Sequence, residues 1–184
     1  MKTQAQISAI IEELKQLYPD ALCSLEYQKD YELLFSVRLA AQCTDARENL
    51  VTPALFERFP TLEAFAAATP DEVGEYVRSC GFWRTKAKDI VGSAQMLLRD
   101  FGGKVPDNMD DLLRLPGVGR KTANVVLANA FGIPAIAVDT HVFRVSNKIG
   151  LAHASNVRET EKQLQNALDP EIWSLMHHLL IFHG

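Results

Sequence analysis

The segment Leu115-Pro116-Gly117-Val118-Gly119-Arg120-Lys121-Thr122 constrains this chain more than any other stretch of its sequence. Two glycines flanking one apolar residue let the backbone turn sharply between two short helices, through torsions that a side chain would resist. The helix that follows exposes its first N–H groups at the same place and carries the positive end of its macrodipole there. The result is a nest of donors shaped for one phosphate oxygen, with Val118 anchoring the loop in the core. Such a contact positions a nucleic acid without reading its sequence. On its own, Gly-x-Gly divides evenly between a structural turn and a phosphate clamp.

The rest of the chain is punctuated for helices. Ile7, Ile10, Ile11, Leu14 and Leu17 repeat at three-to-four spacing, and Pro19 ends that helix. Further helices are expected over about 30–42 and 45–58. Thr69-Pro70-Asp71-Glu72 is a capping box with proline at the first helical position, starting a helix to about Ser79. A helix over about 85–101 is closed by Gly102-Gly103, and Asp107 caps a short turn through Leu113. After the hairpin come a helix over 120–130 and another to about Ile149, capped by Asp139. Asn156 with Glu159, and Asp169-Pro170, open the last two. Ile133 to Val138 is the one strand-like run, but its proline and two alanines suit an extended connection better. The fold is expected to be all-α.

Composition narrows the function classes. The chain has 184 residues, 47% apolar and 23% charged, with net charge −4, which argues against a globally basic nucleic-acid coat or a polybasic membrane binder. Its longest apolar run, Val125 to Val138, is broken by Asn129, Gly132 and Pro134, and the N-terminus has no long apolar stretch. Neither a membrane span nor a signal peptide is expected. Cys23, Cys43 and Cys80 lie far apart in no Cys-x-x-Cys pattern, the usage of a reduced, cytoplasmic protein. Charge is uneven, however. Between Leu112 and Gly150 there are five basic residues (Arg114, Arg120, Lys121, Arg144, Lys148) against Asp139 alone. A basic face on an acidic body can still bind a phosphate backbone.

Lys121 lies in the first turn after the hairpin. A lysine of ordinary pKa is neutral only about once in 2,500 molecules at pH 7. Burial, the helix N-terminus and neighbouring Arg120 would each disfavour the ammonium and improve the amine as a nucleophile; the alternative is a solvated, phosphate-pairing lysine. Asp139 is a natural helix cap, and it could equally stand near Lys121 to stabilise cationic character or accept a proton. His141, His177, His178 and His183 lack convincing zinc spacing and read as pocket or helix-face residues. Cys43 reads as a packed thiol and Trp83 as core.

The stretch LPGVGRKTANVVLANAFGIPAIAVDTHVFRV resembles the helix–hairpin–helix and following Gly/Pro-rich loop with aspartate of endonuclease III-type DNA glycosylases. The likeness extends to AAQCTDARENL (40–50), CGFWRTKAKDI (80–90) and MHHLLIFHG at the end, in matching order. It implies a bifunctional base-excision-repair glycosylase and abasic-site lyase acting on damaged double-stranded DNA, as a monomer, on oxidised pyrimidines. Lys121 matches the family's Schiff-base lysine and Asp139 its catalytic aspartate. Gln42 matches the residue that enters the duplex beside the orphaned base, and Phe82 a loop wedge that is often leucine. The remaining DNA contacts fall on Leu115, Gly117, Val118, Gly119, Arg120, Thr122 and Arg144. Two helical lobes with a DNA cleft between them are implied: a barrel over 23–132 with the hairpin motif at 108–131, and a second lobe of 1–22 plus 133–184.

One departure stands out. Family members typically continue past a His-Gly like His183-Gly184 into four cysteines that bind a 4Fe–4S cluster, and those ligands are absent from residues 1–184. Either the chain is a piece of a longer protein or it does without the cluster. No cofactor is expected within the chain itself. The competing readings are a non-catalytic or impaired DNA-binding fragment, and a monofunctional glycosylase of the same superfamily. The latter usually lacks a lysine at the position of Lys121.

Overall fold

The computed structural model describes residues 2–184, and among them every regular element is helical. Helix α1 (Gln4–Leu17) opens the chain, followed by α2 (Asp30–Ala40), α3 (Asp45–Arg58), α4 (Leu62–Ala67) and α5 (Pro70–Val77). The long α6 (Trp83–Asp100) precedes the short α7 (Met109–Leu112) and α8 (Arg120–Phe131). Helices α9 (Thr140–Ile149) and α10 (Val157–Ala167) lead to a 3-10 turn (Pro170–Ile172) and α11 (Trp173–His183).

Side-chain caps set most of these starts. Thr69 and Glu72 form the expected capping box, the Thr69 N–H donating to Glu72 Oε2 at 2.7 Å. Thr3 and Gln6 do the same for α1, while Asp139 and Asn156 cap α9 and α10. Two local expectations need correcting, and one helix was not foreseen. Asn108, not Asp107, caps α7, because its Oδ1 accepts the Asp111 N–H at 2.9 Å. Helix α4 was not evident in the sequence: six residues are too few to show a period, although Thr61 caps it. Asp169 makes no side-chain cap; Pro170 opens the 3-10 turn that continues into α11.

The chain divides into two compact units, one of residues 24–126 and one joining residues up to 23 with 127–184. In the first, α6 is the central pillar and packs against α2, α4 and α5. Phe35 meets Phe65 edge-on and Phe59 packs against it at a tilt, with centroids 5.0 and 5.1 Å apart, surrounded by buried Leu33, Leu39, Leu55, Ile90 and Leu97. Each fully buried Leu or Phe contributes about 1.5–3 kcal/mol of transfer free energy. Trp83, read as core from the sequence, is only half-buried, its ring lying where a Cβ on Gly74 of α5 would be and flanked by the Arg78 and Arg84 guanidinium groups.

In the second unit, Ile7, Ile11 and Leu14 of α1 share a core with Val142 and Val145 of α9 and Met176, Leu179 and Leu180 of α11. The Ile133–Val138 run is extended without pairing as a strand, and Ile136 and Val138 bury into that core. Those two anchors fix the register in which Asp139 emerges at the start of α9.

Candidate nucleic-acid interface and catalytic residues

The hairpin is held from below by α6. Leu115 and Val118 are buried, and the Val118 N–H closes the turn on the Leu115 carbonyl at 3.2 Å. Their side chains are anchors, so the surface that the turn presents comes from Gly117 and Gly119. Gly117 has φ of 72°, and a Cβ there would run into the Asp89 carboxylate and the Arg38 guanidinium. Those two groups form a half-buried ion pair, Nη2 and Nε reaching Oδ2 at 2.7 and 2.8 Å. Ser93 donates to the Pro116 carbonyl at 3.1 Å, and a Cβ on Gly92 would stand 3.3 Å from the Pro116 ring. Thus Asp89, Gly92 and Ser93, on one face of α6, form the bed for the turn.

The donors left over face outward. The N–H groups of Gly117 and Gly119 donate to no acceptor among the described residues, and nothing lies within 4 Å of where a Gly119 Cβ would stand. Helix α8 begins at the next residue, so its positive end adds to the same spot. Arg120 and Thr122 are half-buried and Lys121 is exposed. Burial of Lys121 was expected from the sequence, and the structure leaves the side chain exposed instead.

Gln42 and Phe82 come together. Gln42 (φ 53°) and Phe82 (φ 57°) are the only non-glycine residues with left-handed backbones among those described. Both are exposed, Phe82 at 70%, and both line a recess of about 330 Å³ with Arg38, Ala41, Thr85 and Lys86. A Cβ on Gly81 would stand 3.1 Å from the Gln42 carbonyl oxygen, so the two loops touch through their backbones. Lys86 is buried beneath them, its ammonium donating to the Leu39 carbonyl at 2.8 Å, and burial pushes its pKa down.

In the other unit, Asp139 is half-buried and accepts the Val142 N–H on Oδ1 at 2.7 Å. His177 of α11 donates from Nδ1 to the Ala137 carbonyl at 2.8 Å, tying down the segment that delivers Asp139. Arg144 is exposed on α9. Sequence reasoning missed the supports: Arg38, Lys86, Asp89, Ser93 and His177. A signal existed in the polar stripe Lys86, Asp89, Ser93, whose three- and four-residue spacing puts all three on one face of α6.

No group of three or more His, Cys, Asp or Glu able to hold a metal ion occurs among the described residues. A 4Fe–4S cluster needs four thiolates, and the chain has three cysteines. The residues present do not fit such a group.

Residues 35–170 match the family model described as HhH-GPD superfamily base excision DNA repair protein. The chain belongs to this superfamily. Endonuclease III of Bacillus subtilis is 45% identical over 180 residues, covering 97% of this chain and 82% of that protein. The Synechocystis sp. endonuclease III is 48% identical over 172 residues, covering 93% and 78%. Among solved structures, a trapped endonuclease III–DNA covalent intermediate matches with TM-score 0.95 and 46% identity, over 100% of this chain and 87% of that one. The chain is therefore a base excision repair protein of endonuclease III type, with every regular element among the described residues helical, as its sequence suggested.

Proposed function

We propose that this chain is a bifunctional DNA glycosylase and abasic-site lyase that removes oxidised pyrimidines from double-stranded DNA through Lys121. The observation that carries this reading is the exposed primary amine of Lys121 in the first turn of α8, directly behind a turn with two uncommitted N–H groups. It occurs in a chain similar throughout its length to an endonuclease III caught in a covalent complex with DNA.

The chemistry follows from those groups. A glycosidic bond inside a stacked duplex is out of reach, so the damaged nucleotide is flipped out. Gln42 and Phe82 fill the gap, and the hairpin donors hold a phosphate oxygen. The neutral Lys121 amine attacks C1′ as the bond to the base breaks, and the base leaves with the bonding pair and takes up a proton. Ring opening gives an imine between Nζ and C1′. Loss of a proton from C2′ then expels the 3′ phosphate by β-elimination. The Asp139 carboxylate stabilises cationic character at the sugar and accepts a proton from the attacking amine. The enzyme acts as a monomer in the cytoplasm, on nucleoid DNA in a bacterium.

Borohydride trapping tests this directly. Duplex DNA carrying one oxidised pyrimidine, incubated with the protein and borohydride, gives a covalent adduct in the wild type and none in Lys121→Ala. Salt-sensitive DNA binding by folded wild-type protein without any adduct would reject the lyase. Base release without strand cleavage would then indicate a monofunctional glycosylase, and no release a binding protein.

A further inference from the structure

Directly after Gln42 and two residues before Phe82 stand Cys43 and Cys80. Their loops touch through the backbone at Gly81 and Gln42. Each cysteine is the chain neighbour of one of these touching residues, which brings the two thiols near enough that Cys43 contributes to the rise in the Cys80 pKa. Cys80 is 1% exposed, whereas Cys43 is half-exposed, so a reagent in solution reaches one sulfur and the other waits behind it. Neither thiol has a part in the excision chemistry.

We propose that Cys43 and Cys80 form a dithiol site for small disulfides, closing to a protein disulfide that pins the Gln42 loop to the Phe82 loop. The Cys43 thiolate attacks one sulfur of the small disulfide, forming a mixed disulfide and releasing one small thiolate. The Cys80 sulfur, on losing its proton, attacks the Cys43 sulfur and releases the second. Two protein sulfurs are oxidised and two small-molecule sulfurs reduced, and the released thiolates take up the two protons. The closing bond draws the sulfurs to about 2.05 Å, well inside van der Waals contact, so one or both loops must shift. Those loops present Gln42 and Phe82 in left-handed conformations that non-glycine residues rarely adopt. Closure therefore weakens engagement of damaged DNA, a consequence that rests on the function proposed above.

The electrostatics set the pace of the second step. Burial, followed by Cys43, pushes the Cys80 thiol up to about 11, with Glu48 adding to the rise and Lys86 opposing it. Closure is accordingly slow at neutral pH and accelerates as pH rises.

The test uses the whole chain with oxidised glutathione as the probe, followed by alkylation and non-reducing peptide mapping, alongside incision of abasic-site duplex. The expected result is a linked Cys43–Cys80 peptide pair, a protein lighter by two hydrogens, and alkylated Cys23. Incision falls several-fold and returns with dithiothreitol. Cys80→Ala stops at a mixed disulfide on Cys43. Wild-type protein that stops at the mixed disulfide, or that links either thiol to Cys23, overturns the site. A Cys43–Cys80 bond that leaves incision unchanged overturns control of the loops. The peptide map needs no enzymatic activity, so failure of the glycosylase reading, seen as no incision in fully reduced protein, is told apart from failure of this one.

Discussion

Gln42 and Phe82 hold left-handed backbones on two loops that meet over one recess. A bulky residue held in that region costs about 1–3 kcal/mol and persists where something else requires its side chain there. Here the requirement is exposure: both side chains project from their loops instead of packing. Gln42→Gly and Phe82→Gly should therefore keep stability or raise it by about 1 kcal/mol, since glycine adopts the same torsions freely. Excision should fall about tenfold or more, because the side chain proposed to offset base unstacking is gone. Chemical denaturation beside single-turnover excision checks the pair; parallel losses in both would mean the residues are merely structural.

Asp139 caps α9 and is the proposed catalytic carboxylate, and two substitutions separate the roles. Asparagine caps as well as aspartate does, so Asp139→Asn should unfold within a few tenths of a kcal/mol of wild type and yet lose the borohydride adduct. Asp139→Ala should lose the adduct and about 1 kcal/mol of stability as well. Thermal unfolding of both variants, set against adduct yield, is the measurement.

The hairpin glycines should respond in opposite ways. A methyl group at Gly117 meets strained torsions and the Arg38–Asp89 pair, so Gly117→Ala should destabilise by about 1–3 kcal/mol and weaken DNA binding. A methyl at Gly119 meets no protein atom within 4 Å. Gly119→Ala should leave stability within about 0.5 kcal/mol of wild type and still weaken binding, because the methyl stands where a phosphate would approach the backbone. Equal DNA affinity for Gly119→Ala and wild type would count against the phosphate nest.

These contrasts show what the sequence carried and what it did not. Caps and periodicity gave nearly every helix because they are local: Thr69 with Glu72 and Asn156 with Glu159 act within one turn. The hairpin was legible for the same reason. Its bed was not, since Arg38 and Asp89 are 51 residues apart and their pairing under Gly117 is a property of helix packing. The left-handed backbone of Phe82 also went unread. It lets α6 start at Trp83, two residues earlier than the apolar pattern suggested, without any side-chain cap. Exposure of Lys121 is likewise a tertiary fact.

Glu48 supplies a pH prediction. It is fully buried on α3, and neither carboxylate oxygen has a well-formed hydrogen-bond partner among the described residues. Burial pushes its pKa from 4.5 up to about 7; the Ser36 hydroxyl opposes the rise while Asp45 and Glu26 add to it. Between those two values the folded state holds a proton that the unfolded state has released. Stability therefore falls as pH rises through that window, by about 3 kcal/mol in all, and the whole penalty is present above it. Glu48→Gln removes the charge at similar volume. It should be more stable than wild type at about pH 8, by on the order of 5–10 °C in Tm, with the gap nearly closed at about pH 4.5. Melting curves of both proteins across that range decide the point, and a gap that does not widen with pH would mean that Glu48 does not keep its proton in the fold.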